Sequence, residues 1–196
     1  MKPTSTIELE GYQGKREMSL NARMLRQRRL FLTGEINEAS ANELIQELMY
    51  IETEEGDEPV RLYINSGGGE VTGGLMIYDF LQAMKTPVEM FCIGRAASMA
   101  AVIFASGKKG HRHILPHGRL MIHEPLIDGG VGGSATSIRN ISDSILKTKR
   151  ILNELLAQST GKTVEEIDAA TAYDHYMDAE ESIEFGLCDD ISQDIF

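Results

Sequence analysis

From residue 30 the chain alternates short apolar runs with stretches of helical spacing, and that alternation confines it to a narrow group of folds. "LFLTG" is followed by "NEASANELIQELMYIETEE", in which Leu44, Ile45, Leu48, Met49 and Ile51 recur at helical spacing. "PVRLYINS" then reads as a strand running into a glycine turn, residues 71–84 as a helix, and "VEMFCIG" as a strand. Strand, helix and strand in this order build βαβ units and a mostly parallel sheet, so the expected class is α/β. "RHILP" and "RLMIHEP" add two short strands near Pro125, and a length of 196 residues fits one domain.

After the glycine-rich loop "IDGGVGGSATS", residues Ala135 to Gln158 read as one helix with an apolar stripe at Ile138, Ile141, Ile145, Leu152, Leu155 and Leu156. About 23 residues make roughly 35 Å of helix, more than a compact domain of this size needs. The stripe is buried either against another subunit or along its own domain. "TVEE" at 163–166 has capping-box spacing, and "DAEE" at 178–181 is laid out alike, with Gly186 as a helix stop. Residues 1–27 show little periodicity and end in the basic cluster "RMLRQRR"; they are expected to form an arm, mobile or docked on a partner, ahead of a domain at 28–196.

Charge narrows the possible partners. With 19 basic against 30 acidic residues the net charge is −11, which disfavours nucleic acid and anionic membranes as partners. The N-terminal residues lack the apolar stretch of a signal peptide, and the longest apolar run falls well short of a membrane span. Cys92 and Cys188 are too few for a disulfide framework. A reducing, cytoplasmic location is the expectation.

Several motifs invite chemistry. In "INSGGGEVTGG" the spacing fails a dinucleotide fingerprint, because Thr72 stands where a third glycine is required. Three consecutive glycines leave two readings, a plain strand-to-helix turn or a backbone N–H site for an oxyanion. "STGKT" at 159–163 imitates the end of a phosphate loop, but Leu156 occupies the glycine position and a helix precedes it. His111 and His113 share one face of a strand with His117 beyond, yet no cysteine or paired carboxylate stands at a metal-ligand spacing. No metal site is expected.

"IGRAASMAAVIFASG" sets Ser98 among alanines and aliphatics at the start of a helix. A hydroxyl in apolar surroundings is costly unless hydrogen-bonded, so Ser98 is either packed there as a small residue or held for chemistry. Small flanking residues leave room for a substrate carbonyl, and the Met99 N–H at a helix N-terminus is placed to meet an oxyanion. His123 ends the apolar strand "LMIH", where side chains project from the edge of a sheet. With an aspartate these are the groups of a hydrolytic triad, but spacing does not rank Asp174, Asp178, Asp189 and Asp190.

"YINSGGGEVTGGLMIYDFL", "IGRAASMAAVIFASGKKGHRHILPHGRLMIHEPL" and "AEESIEFGLCDDI" resemble the proteolytic subunit of the ATP-dependent Clp protease, from about residue 28 to the end. The resemblance places the nucleophile on Ser98, the base on His123 and the aspartate on Asp174, with the N–H groups of Gly69 and Met99 as oxyanion donors. It implies a crotonase-like α/β fold of βαβ units with a protruding handle helix, Ala135–Gln158, interdigitating between two stacked seven-membered rings. An extended, unfolded substrate would lie against the backbone at Gly68 to Val71 and Leu126 to Asp128. The subunit itself would need no cofactor, ATP being used by a partner unfoldase, an AAA+ ATPase of the Clp type.

Four differences from the family pattern stand out: Gly67 replaces a usual proline, Ala172 and Tyr173 replace an acidic residue and arginine that pair between rings, the glycine loop is about two residues longer, and the N-terminal arm matches poorly. They point to a divergent paralogue that pairs with a second subunit type. Two other functions stay open: a ring subunit inactive until a paralogue binds, and a crotonase-like acyl-CoA enzyme, which would need no Ser98.

Overall fold

The computed structural model describes residues 5–11, 14–54, 56, 58–127 and 129–195. Within residues 1–27 lie a two-stranded antiparallel hairpin, β1 (Thr6–Gly11) with β2 (Gly14–Ser19), and a helix α1 (Leu20–Arg26) capped by the Ser19 side chain on the Ala22 N–H. The arm is therefore structured over its described residues. Its strand pattern is masked in the sequence by charged residues on both strands.

A seven-stranded sheet carries the rest. Strands β3 (Arg29–Ile36), β4 (Val60–Gly69) and β5 (Val88–Ala97) are parallel neighbours joined by α2 (Glu38–Thr53) and α3 (Val71–Ala83). The α2 N-terminus is fixed by a capping box between Asn37 and Ser40, and its buried stripe is Ala41, Leu44, Leu48 and Ile51. Met49, expected in that stripe, is exposed. Strands β4 and β5 run further than their apolar residues suggest, through the glycines to Gly69 and through the alanines to Ala97. Parallel neighbours supply the hydrogen bonds there, so local propensity does not end them.

Sheet topology forks at β5. Its first half, Met90–Cys92, pairs with β6 (Arg112–Ile114), and its second half, Arg95–Ala97, pairs with β7 (Arg119–Ile122), both parallel. Strand β9 (Asp190–Ile191) extends the sheet beyond β6, while β8 (His175–Met177) lies antiparallel to β7. The helix α4 (Met99–Ala105) leaves β5 at the fork and is buried at all seven residues, at the centre of the core.

Helix α5 (Ala135–Thr160) has 26 residues, about 39 Å at the usual rise. Leu152 and Leu156 bury against the domain, but Ile138, 44% exposed, and Ile141 do not. Of the two expected fates of the stripe, packing along its own domain holds only near the C-terminal end. After Gly161, which ends α5 in the left-handed conformation, Thr163 starts α6 (Val164–Thr171) and Asp178 starts α7 (Ala179–Phe185), each with the expected capping box. "STGKT" is thus a helix end followed by a cap.

Candidate active site

Strand pairing, not sequence proximity, assembles the site. Ala97 of β5 is in register with Met121 of β7, and the Ser98 N–H donates to the Met121 carbonyl at 2.9 Å. Ser98 and His123 thus leave neighbouring strands side by side. Ile122 of β7 pairs with His175 of antiparallel β8, which sets Asp174 next to His123. The Ser98 Oγ lies 2.9 Å from His123 Nε2, and His123 Nδ1 lies 3.1 Å from Asp174 Oδ1. With the imidazole proton on Nδ1, His123 donates to Asp174 and accepts from the Ser98 hydroxyl.

Among the described residues Ser98 is one of two non-glycine residues with positive φ, at φ 55° and ψ −126°. That conformation is sparsely populated for an L-residue and costs of order 1–3 kcal/mol. The turn it makes between β5 and α4 lifts Oγ out of the core towards His123, which explains a hydroxyl among alanines.

The glycine run is built for close approach. A Cβ on Gly69 would lie 2.1 Å from the Ile36 carbonyl oxygen, and one on Gly68 would lie 2.6 Å from the Ala97 oxygen and 2.7 Å from the Ser98 Cβ. Both have positive φ. A plain turn does not demand this; Gly68 is pressed against the Ala97–Met99 segment and Gly69 against the Ile36 backbone. Ser66, which sequence reasoning missed, anchors it: its buried hydroxyl donates to the Gly34 carbonyl at 2.6 Å and accepts from the Gly68 N–H at 3.0 Å. The visible signal was a polar residue at an inward-facing position of a strand.

A cleft of about 230 Å³ opens at Ser98 and His123. Gly69, Met99, Val71 and Leu126 line it with them. Gly68, expected to meet substrate, lies behind the cleft, with its N–H taken by Ser66. Asp128, the far end of the expected substrate segment, lies outside the described residues. Met99 opens α4, so its N–H has no partner within the helix.

The other candidates have different occupations. Asp178 caps α7, Asp189 binds Arg112, and Asp190 Oδ1 lies 2.9 Å from His113 Nδ1. His113 also stacks on Phe91 at 4.9 Å. Among the described residues no group of three or more His, Cys, Asp or Glu could hold a metal ion, and no helix is long and apolar enough to cross a membrane. Cys92 and Cys188 are both buried, and burial pushes their thiols up to about 11 and about 12, so both are neutral and unreactive at physiological pH.

Gly67 is the bulged residue where the register of β4 shifts against β3, and its φ is not positive. A Cβ there would meet only the end of the Arg95 side chain, at 3.2 Å. Gly67→Ala is expected to stabilise the domain by about 0.4–1 kcal/mol by restricting the unfolded chain, read as a higher urea midpoint at an unchanged slope.

A mostly parallel sheet with crossover helices, bearing serine, histidine and aspartate in hydrogen-bonded sequence at its strand ends, defines an α/β domain of hydrolase type. The Clp protease family model matches residues 12–194, nearly the whole chain. The chain belongs to the Clp protease family. Members of that family work as ring oligomers with Clp ATPases.

Proposed function

We propose that the chain is a serine endopeptidase subunit of an ATP-dependent Clp protease. The observation that carries this reading is the continuous line from Ser98 Oγ through His123 to Asp174, at 2.9 and 3.1 Å, opening on a cleft. His123 takes the Ser98 proton as Oγ attacks a peptide carbonyl, and passes it to the leaving amine. Water, deprotonated by the same imidazole, then releases the acyl group from Ser98. Asp174 holds the tautomer and stabilises the imidazolium. The N–H groups of Met99 and Gly69 are the proposed oxyanion donors, each worth about 10²–10³ in rate.

Backbone recognition along Val71 and Leu126 suits extended, unfolded polypeptide of varied sequence. Selectivity then comes from access, which supports a chamber of two stacked heptameric rings fed by a Clp-type AAA+ unfoldase. Two buried, neutral thiols suit a reducing compartment such as the cytoplasm.

Incubation with a serine-reactive fluorophosphonate, with adducts located by peptide mass, tests the reading. Labelling confined to Ser98 is the expected result; labelling elsewhere, or none in any assembly state, overturns it. One observation favours a subunit that needs a paralogue for full activity: Tyr173, 83% exposed, stands beside Asp174 where the family pairs charges between rings. Labelling that appears only on mixing with that paralogue would identify this form.

The exposed stripe on α5 supports assembly through that helix. Ile141→Asp with Leu146→Asp is expected to convert the assembled form to single chains in sedimentation velocity, at unchanged far-ultraviolet circular dichroism, because both side chains are exposed and carry no fold.

A further inference from the structure

Outside the hydrogen-bonded line itself, one charged cluster touches the segments on both sides of it. Lys149 of α5 places Nζ 3.0 Å from Glu124 Oε2 and 2.9 Å from Asp168 Oδ1. Glu124 immediately follows His123. Asp168 belongs to α6, which ends at Thr171, three residues before Asp174.

Further bonds complete the link. The Asn153 amide donates to Asp168 Oδ1 at 2.9 Å, the Thr171 hydroxyl donates to Ile167 O at 2.9 Å and lies 3.4 Å from Asn153 Oδ1, and the Glu124 N–H donates to the Thr171 carbonyl at 2.8 Å. Asn153 and Thr171 are buried, whereas Asp174 itself is 57% exposed on its side chain. The two short segments flanking the His123–Asp174 contact are thus joined by β7–β8 pairing and the Glu124–Thr171 bond, and Lys149 bridges them from behind.

We propose that Lys149 is a positioning residue for the Ser98–His123–Asp174 site, clamping the segment after His123 to the helix before Asp174. The inference rests on the serine-peptidase reading above. The hydrogen bond from Lys149 holds Asp168 below the usual carboxylate range, and the carboxylates hold Lys149 above the usual lysine range, so the Lys149–Asp168 pair is charged at neutral pH. All three side chains are partly exposed, and such pairs add little to global stability. Their effect is on the population of the aligned site: small displacements of a reacting group are costly to rate even where they cost little in folding.

Lys149→Met is expected to lower the rate of Ser98 labelling, and kcat for a short peptide, by about 5- to 10-fold, with KM changed less than about 2-fold and Tm moved by no more than a few degrees. Lys149→Arg, which keeps the charge, is expected to recover most of the rate. The discriminating measurement is the same substitution in the Asp174→Asn background. If Lys149 acts through the His123–Asp174 alignment, it has little left to align there, and the second loss is expected to be below about 2-fold. An equal loss in both backgrounds overturns the inference, as does a wild-type rate in Lys149→Met. A wild type that stays unlabelled in every assembly state overturns the serine-peptidase reading itself, and this inference with it.

Discussion

Replacing Ser98 by alanine is expected to lower peptide cleavage by about 10⁴-fold or more, and adding His123→Ala to that variant is expected to cost almost nothing further. Serine and imidazole act as one unit, since each is inert towards a peptide without the other, so their losses do not add. Asp174→Asn is expected to cost less than either. Its side chain is 57% exposed, and water can take part of its place against His123 Nδ1. A thioester substrate gives the opposing reading its chance: hydrolysis of an acyl-CoA undiminished in Ser98→Ala would make this an acyl-CoA enzyme using backbone N–H groups alone. Stability separates chemistry from packing in the same variants. At φ 55° and ψ −126° Ser98 sits where glycine is comfortable, so Ser98→Gly is expected to stabilise the domain by about 1 kcal/mol while abolishing cleavage. That pair of results would mark Ser98 as a residue kept for its hydroxyl at a cost in stability.

How much of this the sequence disclosed depends on the range of the interaction involved. Helices α2, α3 and α5 and the parallel strands were legible because periodicity and caps are local. Thr163 and Asp178 announce their helices within three residues. The hairpin of β1 and β2 was not, since both strands are rich in charge: the alternation of Ile7 and Leu9 with Glu8 and Glu10 is short, and β2 has none. Met49 carried the right spacing but falls on the exposed side of α2. At the site, Ser98 and His123 could be singled out by their flanks, but residues alone did not choose among four aspartates. That choice is made by three residues of antiparallel β8 pairing with β7, across some fifty positions of chain. The bonds of Ser66 were unreadable for a related reason, although its inward-facing position was a signal: its partners, Gly34 and Gly68, meet only when β3 and β4 are paired. The resemblance to a known family supplied Asp174 where spacing was silent.

Arg112→Met is the substitution outside the site expected to do most damage, about 3–5 kcal/mol, or roughly 6–20 °C in Tm for a domain of this size. Arg112 is 2% exposed and forks onto both oxygens of Asp189. Its remaining nitrogen donates to the carbonyls of Ala105, Ser159 and Gly186, which stand at the C-terminal ends of α4, α5 and α7. One cation therefore meets three helix ends, each the negative end of its dipole. Burial of Asp189 raises its carboxyl, but the bonds and charge of Arg112, with the N–H groups of Gly110 and Arg112, outweigh this and hold it below the usual range. A depressed folded value means that the contribution is fully present above the unfolded value of about 3.9 and is lost as pH falls through the folded one. Wild-type stability should therefore decline steeply below about pH 4, and Arg112→Met should lose part of that slope along with its stability at pH 7. The single change leaves a carboxylate without its cation, so Arg112→Met with Asp189→Leu is expected to recover part of the loss. A single variant that melted within a degree or two of wild type would mean that the three helix ends are held by packing around Phe104 and Leu156, not by the guanidinium.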